Sequence, residues 1–217
     1  MCGRFTLRTP PDAVASAAGL RLGPSPLQPR FNIAPSQSVL AFRAGEAVHL
    51  RWGLVPSWAK DPAIGSRMIN ARGETVAEKP SFRAAFRQRR CVVPADGFYE
   101  WRAVGKGKQP YFLRLKGDRP FAFAGLWERW QGADGTTLET CAIVTTTPNA
   151  LAATIHDRMP LILGPEAIAP WIDPSTASAP FPADAMEAFP VSTRVNRPAN
   201  DDPMLVAPLN APLGLLL

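Results

Sequence analysis

Cys2 has the most distinctive chemistry in the chain, and it owes this to its position. Initiator methionine is normally removed when the next residue is as small as cysteine, which would leave an α-amine and a thiol on one residue. An α-amine has a pKa of about 7.7 to 8.0, against about 10.4 for lysine, so it can attack an aldehyde at neutral pH. The thiol can then add to the imine carbon and close a five-membered thiazolidine ring. A cysteine at position 2 can also be accidental, and position alone does not decide between the two.

A second candidate is the segment INAR, which ends at Arg72 and is followed by Glu74. An amide beside a guanidinium suits polar recognition of a sugar and a phosphate, so Asn70 and Arg72 are candidate binding residues. A turn that carries a surface arginine would have the same sequence.

Glu100 stands between Tyr99 and Trp101 in the motif GFYEW. An aromatic setting disfavours the charged form of a carboxyl group and raises its pKa toward neutrality, which suits a general acid–base. The alternative is a strand residue whose carboxylate lies in solvent.

His156 lies in the motif IHDRMP, where a predicted helix gives way to a loop. A histidine can exchange protons near neutral pH, so His156 is a candidate acid–base. A loop histidine beside Asp157 and Arg158 can also be an ordinary surface residue.

Neither a metal nor a cofactor is expected. His49 and His156 are far apart, the three cysteines include no C-x-x-C pair, and no carboxylate cluster has ligand spacing. The scattered, odd-numbered cysteines argue against a disulfide framework and for a reducing compartment. Phosphate-binding glycine loops and the G-x-S-x-G nucleophile motif are absent from the sequence.

The composition favours a cytoplasmic protein with a polyanionic partner. The start MCGRFTLRTP has no apolar signal core, and no window approaches 18 consecutive apolar residues, so no membrane span is expected. A count of 24 basic against 18 acidic residues gives a net charge of +6, which favours nucleic acid as a prior only.

The elements that must position these residues are short. Hydrophobic residues make up 46 % of the chain, enough for a core, and 24 prolines disfavour long helices. Helices are predicted at 11–19, 81–90, 148–155 and 165–172. Strands are predicted at 47–56, 91–94, 111–115, 121–127 and 141–147, with hairpin tips at 105–108 and 132–136.

Together these elements predict one α+β domain over residues 1–217. Its centre would be a strongly bent, mostly antiparallel sheet or barrel with short peripheral helices. The Pro-, Ala- and Ser-rich residues 174–190 predict a surface excursion, and residues from about 201 to 217 predict a tail that docks or is disordered.

The order of the motifs is more specific than any one of them. MCGRF, FNIAP (31–35), WGLVPSW (52–58), INARGET (69–75), PSFRAAFRQRRCVVPADGFYEW (80–101), FAGLW (123–127), IHDRMPLIL (155–163) and PVSTRVN (190–196) follow in succession. From Met1 to about Asn200 this order resembles the SOS-response-associated peptidase family, the abasic-site-processing proteins.

The resemblance implies a covalent cross-link between Cys2 and the ring-opened aldehyde of an abasic site in single-stranded DNA. It implies that Asn70 orients the amine and the sugar, that Glu100 transfers protons, and that His156 serves the open-chain deoxyribose. The implied partner is abasic single-stranded DNA, including junctions with duplex, and peptidase- and lyase-type side activities are implied as well. The protein would act as a monomer in the cytoplasm, on the nucleoid after DNA damage.

The resemblance also implies which residues hold DNA. Phosphate contacts would come from Arg4, Arg72 and Arg158, which position the strand without reading sequence. Pro35 and Trp58 would border the groove, with apolar surface against exposed bases. Some relatives carry a second tryptophan where this chain has Ala59, so a role that needs that second ring is not expected here.

Two other classes remain open at this point. An N-terminal-nucleophile amidohydrolase or peptidase is one, because glutamine amidotransferases also begin with Met-Cys-Gly and use the thiol as nucleophile. The other is a DNA-binding module without chemistry, for which Cys2 would be dispensable.

Overall fold

The computed structural model describes residues 2–22, 28–173 and 181–209, and within these ranges it is a single α+β domain. The strands are β1 (Arg4–Leu7), β2 (Arg30–Ile33), β3 (Ser38–Arg43), β4 (Glu46–Trp52), β5 (Asn70–Arg72), β6 (Arg90–Ala95), β7 (Gly97–Val104), β8 (Gly107–Leu115), β9 (Phe121–Gln131), β10 (Thr137–Thr146), β11 (Met159–Pro160), β12 (Ile162–Leu163) and β13 (Met186–Pro190). The helices are α1 (Asp12–Ala17), α2 (Arg83–Gln88), α3 (Ala150–Ala153) and α4 (Pro165–Ile172). Short 3-10 helices lie at Pro62–Arg67, Ala183–Ala185, Thr193–Asn196 and Pro203–Val206.

Five strands close into a barrel. In order around it, β3 pairs with β4, β4 with β10, β10 with β9, β9 with β6, and β6 with β3. Within the barrel only the pairing of β4 with β10 is parallel. Three short strands join it from outside: β5 pairs in parallel with β10, β11 pairs antiparallel with β10, and β12 pairs antiparallel with β9. The predicted fold class, a bent and mostly antiparallel sheet or barrel with short helices around it, is therefore confirmed.

A second sheet carries the chain's first strand in its interior. Its order is β13-β8-β7-β1-β2, and every neighbouring pair is antiparallel. In the pairing of β1 with β7, Arg4 lies opposite Tyr99 and Phe5 opposite Phe98. The same register, continued toward the N-terminus, brings residues 2 and 3 alongside Glu100 and Trp101.

Aromatic packing fastens this sheet to the barrel. The ring of Phe5 lies 5.2 Å from the ring of Trp52 and 5.7 Å from that of Phe123, both in edge-to-face contact. Phe98 also contacts Phe123, at 6.0 Å. Phe5 is 1 % exposed, and burial of a side chain of this size contributes about 1.5 to 3 kcal/mol. The first strand is thus held by the core and is not a loose terminus.

A buried carboxylate fixes the other end of β1. Asp96 is fully buried and accepts hydrogen bonds from the Thr6 hydroxyl, from the backbone N–H groups of Arg8 and Thr9, and from the Arg8 guanidinium, at 3.0 Å from Nε. Several donors on one buried carboxylate offset the cost of removing its charge from water.

The predicted helices and strands are present, with most boundaries shifted by a few residues. The helix predicted at 165–172 has those bounds, whereas the ones predicted at 81–90 and 148–155 are shorter, as α2 and α3. With eight residues in α4, the longest of the four, no helix in the described ranges could reach across a membrane.

The interpretation of residues 174–190 as a surface excursion is wrong for its last five residues. Residues 186–190 form β13, which pairs with β8 along its whole length, and Met186 is buried. A high content of proline and alanine favours a solvent-exposed segment. The formation of β13 depends instead on the unpaired backbone groups at the edge of β8, which composition cannot predict. Residues 174–180 lie outside the described residues.

The described part of the predicted tail is docked. Leu205 is buried, and Val191 forms a bridge with Pro208. Residues 210–217 lie outside the described residues.

We predict that Gly97→Ala destabilises the fold, because a Cβ at this position would overlap the ring of the buried Phe112. Overpacking of this kind costs about 1 to 3 kcal/mol of unfolding free energy. Gly107→Ala, in the same hairpin, is the matched control, since its Cβ would have only the Val104 carbonyl oxygen nearby, at 3.8 Å. Urea unfolding should show a lower midpoint for Gly97→Ala only, and equal midpoints would contradict the prediction.

Candidate functional site

An open groove of about 510 Å³ lies at the N-terminal end of β1. It is lined by Gly3, Arg4, Glu100, Trp101, Lys108, His156 and Asn196. Three of these residues, Arg4, Glu100 and His156, come from separate segments of the chain and are sequence-predicted site residues. The fold brings them together beside Cys2.

Cys2 is fully buried, and its Sγ lies 3.8 Å from the carbonyl oxygen of Arg4. Burial, and secondarily the negative charge of Glu100, raises the pKa of the Cys2 thiol well above its ordinary value. The thiol is therefore protonated at neutral pH. It can act as a nucleophile only if a neighbouring group takes its proton.

Asn70 contacts Cys2 directly. Its Nδ2 donates a hydrogen bond of 2.8 Å to the Cys2 carbonyl oxygen. β5 runs parallel to β10 with Asn70 opposite Ile143, and the indole of Trp52 holds the carbonyl of the preceding Ile69 at 2.9 Å. The Asn70 Oδ1 is buried and has no hydrogen-bond partner among the described residues. An unpaired buried acceptor costs about 1 to 3 kcal/mol, so Oδ1 is an acceptor available to a donor bound at this site.

Glu100 is 3 % exposed on β7. Burial raises the pKa of the Glu100 carboxyl, and nearby positive charge, including that of His156, opposes the rise. Its neighbours fix the strand, since the Tyr99 hydroxyl donates to the Phe31 carbonyl at 2.7 Å and the Trp101 indole donates to Asn196 Oδ1 at 2.8 Å. A rigidly held carboxyl with a raised pKa is better suited to donating and accepting a proton than one with an ordinary pKa.

His156 follows α3 and is 28 % exposed. The backbone N–H of Arg158 lies 3.0 Å from its Nδ1, and Asp157 Oδ1 lies 2.8 Å from the same nitrogen. The two contacts need different protonation states, because Nδ1 accepts in the first and donates in the second. The backbone N–H of Arg158 is a permanent donor and therefore favours the tautomer that carries its proton on Nε2, whereas a ring with a proton on Nδ1 would donate to Asp157.

The three predicted phosphate contacts have different surroundings. Arg4 donates from Nη1 to the Val195 carbonyl at 2.7 Å, and burial lowers the pKa of its guanidinium. Arg72 is exposed at the end of β5. Arg158 forms a two-pronged ion pair with Glu74, at 2.6 Å (Nη1 to Oε1) and 2.8 Å (Nη2 to Oε2).

Trp58 and Pro35 lie outside the groove residues given above. Trp58 is 58 % exposed and lines a second cavity of about 410 Å³, to which Lys60 and Arg67 also contribute. Pro35 is half-buried in the turn after β2. Ala59 is buried, and its carbonyl oxygen accepts a hydrogen bond of 2.7 Å from the Trp130 indole, so a second tryptophan at position 59 would require this packing to change.

Trp101, Lys108 and Asn196 are groove residues that were not predicted from the sequence. They lie in the motif GFYEW, in the predicted hairpin tip at 105–108 and in the motif PVSTRVN. The segment that contains Asn196 is held at the groove by Asn32, a residue distant in sequence. The Asn32 Nδ2 lies 2.8 to 3.2 Å from the carbonyl oxygens of Val195, Arg197 and Asn200. In the described ranges, no group of three or more His, Cys, Asp or Glu residues could hold a metal ion.

The fold and the site define a class of protein: an α+β domain that holds a cysteine at position 2, an amide, a buried carboxyl and a histidine in or beside one groove. The family model described as SOS response associated peptidase (SRAP) matches residues 1–198, and the chain belongs to this family.

Individual relatives match over nearly the whole chain. The chain is 45 % identical over 224 residues to the abasic site processing protein YoqW of Bacillus subtilis, a match that covers 95 % of this chain and 99 % of that protein. It is 44 % identical over 224 residues to the abasic site processing protein YoaM of the same organism, over 95 % and 97 % of the two chains. A crystal structure of a protein from Bacteroides thetaiotaomicron superposes with a TM-score of 0.85 at 29 % identity, over 95 % and 99 % of the chains.

We predict that Glu100→Gln makes the protein progressively more stable than the wild type as pH rises. A folded-state pKa above the unfolded value of about 4.3 means that the wild type loses stability as pH rises from that value through the folded pKa. Glutamine removes this loss. Urea unfolding from pH 4 to 8 should show the stability difference growing in that direction.

Glu74→Gln is the control, because Arg158 lowers the pKa of the Glu74 carboxyl. Glu74 therefore contributes stability above about pH 4.3 and loses it only as pH falls through its lowered pKa, so its difference should be flat between pH 5 and 8. A flat difference for Glu100→Gln as well would contradict the assignment.

Proposed function

We propose that this protein processes abasic sites in single-stranded DNA by forming a covalent thiazolidine cross-link through Cys2. The observation that carries the proposal is the convergence of Cys2, Asn70 and Glu100 at a groove that Arg4 and Lys108 make basic. Membership of the SRAP family and the names of the relatives YoqW and YoaM support the substrate class. We expect the protein to act as a monomer in the cytoplasm.

The chemistry requires residue 2 to be the N-terminus. After Met1 is removed, the α-amine attacks the aldehyde carbon of the ring-opened sugar, a C–N bond forms, and one water leaves to give the imine. The sulfur then attacks the imine carbon, a C–S bond forms, and the thiol proton ends on the ring nitrogen. One water is released in total, and no oxidant or reductant is needed.

The neighbouring side chains match the proton transfers in this sequence. The Cys2 thiol is protonated, so the ring-closing step needs a base, and Glu100 is the nearby charge that raises the thiol pKa. A carboxyl with a raised pKa can protonate the departing hydroxyl as an acid and accept the thiol proton as a base. The available Oδ1 of Asn70 would accept an N–H of the new amine, and His156 would bind the open-chain sugar hydroxyl.

The DNA strand would follow the basic residues around the groove. Arg72 is the exposed guanidinium nearest in sequence to Asn70, while Arg4 and Arg158 would use donors beyond those already bonded within the protein. Trp58 offers an exposed ring for base stacking, which is worth about 1 to 3 kcal/mol per base and needs unpaired bases.

The same imine accounts for the side activities that the family name and chemistry suggest. An imine at an abasic sugar permits elimination of the neighbouring phosphate, which is lyase chemistry. Removal of residues before Cys2 would be peptidase chemistry confined to the protein's own chain.

Intact mass measured with an abasic oligonucleotide tests the proposal directly. The protein should lack Met1 and gain the mass of the DNA minus one water, in an adduct that survives denaturation without reductant. Cys2→Ser retains the amine but not the sulfur, so its adduct should persist only after borohydride trapping. A stable adduct with Cys2→Ser, or an active protein that retains Met1, would contradict the mechanism.

Two further results separate the competing classes. Hydrolysis of glutamine or of an added peptide in place of DNA attachment would favour an N-terminal-nucleophile hydrolase. Full retention of function by Cys2→Ala would indicate a binding module without chemistry.

We predict that Glu100→Gln slows cross-linking at saturating DNA by about 10² to 10⁴-fold and flattens the limb of the pH profile that Glu100 controls, because glutamine cannot titrate. Asn70→Ala is the comparison, since an amide positions groups without titrating. It should slow the reaction but preserve the shape of the profile.

Single-turnover rates from pH 5 to 9 measure both effects. The final yield of adduct should change little, because a catalyst does not move an equilibrium. If Glu100→Gln retained the wild-type rate and profile, His156 would be the next candidate for the proton carrier.

A further inference from the structure

The ion pair between Glu74 and Arg158 joins two parts of the chain that carry site residues. Glu74 lies in the turn after β5, the strand that contains Asn70, and Arg158 lies in the loop that contains His156. The two residues are 84 positions apart, and both oxygens of the carboxylate are bonded to the guanidinium. Such two-pronged pairs fix geometry as well as charge.

The Arg158 side chain is also bound to the barrel. Its Nη2 donates to the Thr145 carbonyl oxygen at 2.8 Å, near the end of β10. The Arg158 side chain is 14 % exposed and its Nε is buried, whereas the Glu74 side chain is 44 % exposed. Arg158 is therefore held between β10 and the turn after β5, with Glu74 as the outer partner.

The backbone of the same residue controls His156. The Arg158 N–H donates to His156 Nδ1 at 3.0 Å, which places the proton of the neutral ring on Nε2. His156 lines the groove, so this bond determines whether the ring acts there as a donor or as an acceptor. The orientation of one backbone N–H thus depends on a side chain that Glu74 holds in place.

We propose that Glu74 is a positioning residue that holds the Arg158 guanidinium against β10 and thereby fixes the tautomer and orientation of His156. Its effect on the reaction rests on the proposed function, whereas its effect on the His156 tautomer does not. Glu74 is not among the groove residues, and both of its carboxylate oxygens are bonded to Arg158, so it acts on His156 through Arg158.

Four charged groups lie around His156 and bear on how a change in its tautomer is interpreted. Asp157 lies 2.8 Å from Nδ1, Glu100 interacts with His156 electrostatically across the groove, and Arg4 and Lys108 line the same groove. A substitution at Glu74 leaves these four charged groups in place. A change in the His156 tautomer would therefore reflect a change in the conformation of its loop and not the loss of a charge at the groove.

Histidine ¹⁵N NMR is the first test, and it is simple because the chain has only two histidines. With ¹⁵N-histidine labelling and His49→Gln to assign the signals, wild-type His156 above neutral pH should show the Nε2–H tautomer. In Glu74→Gln the neutral side chain binds the guanidinium more weakly, and His156 should become a mixture of tautomers. Glu74→Asp keeps the charge on a shorter side chain and should be intermediate.

Cross-linking rates are the second test. At saturating abasic DNA, Glu74→Gln should be slower by about 10- to 100-fold through misplacement of His156. Its affinity for undamaged single-stranded DNA should be equal to that of the wild type or slightly higher, because a negative charge has been removed. Glu78→Gln is the matched control. Glu78 is an exposed residue of the same segment, and its carboxylate forms no ion pair in the described ranges, so this variant should match the wild type in both measurements.

The outcomes that would overturn the inference differ from those that would overturn the proposed function. A wild-type His156 in the Nδ1–H form, or an unchanged tautomer and rate in Glu74→Gln, would overturn the positioning role while wild-type cross-linking still stood. Faster cross-linking by Glu74→Gln together with tighter DNA binding would show instead that Glu74 only competes with phosphate for Arg158. Failure of the wild type to cross-link would overturn the proposed function and leave the tautomer result valid.

Discussion

The packing of Phe5 between Trp52 and Phe123 is the interaction on which the site depends. A residue at the end of a chain is ordinarily free to move, because few contacts offset its conformational entropy. Here the third residue after Cys2 is a buried aromatic anchor, and β1 is an interior strand with β7 and β2 on either side. The cost of ordering the terminus is met by the core, so the residues that carry the proposed chemistry are held in place without a ligand.

Burial of Cys2 beside Glu100 is the second constraint. Both groups lose solvation, and burial raises the pKa of each. In an apolar setting, water no longer stabilises the charged forms of the thiol and of the carboxyl. A protonated thiol is less nucleophilic than a thiolate, but it is also inert toward oxidation, and the neighbouring carboxyl can take its proton when a substrate arrives.

Polar side chains elsewhere in the domain hold the backbone around the site. Asn32 is bonded to three carbonyls of the segment that supplies Asn196 to the groove, and Asp96 collects donors from the end of β1. Arg158 performs the same task for the loop of His156, through Thr145 and Glu74. A basic residue near an active site can therefore hold the protein's own backbone in place or bind a ligand. The hydrogen bonds of its side chain distinguish these two roles.

Residue types and local motifs were enough to predict the candidate chemistry and most of the secondary structure. The cysteine at position 2, the amide of Asn70 and the carboxyl of Glu100 are recognisable from residue type and local motif, and the order of the motifs indicates the family. Helix α4 and the central strands β9 and β10 follow from periodicity and from turn residues, which are local properties of the chain.

Which of these residues meet, and what each arginine is bonded to, depends on contacts between distant parts of the folded chain. β13 could not be predicted because its stability comes from the edge of β8, more than 70 residues earlier in the chain. Trp101, Lys108 and Asn196 became groove residues only when β7, β8 and the segment held by Asn32 came together. Arg158 and Glu74 are 84 positions apart in the sequence. The energy of an ion pair depends on the distance between its charges in space, so a local sequence motif cannot predict this contact.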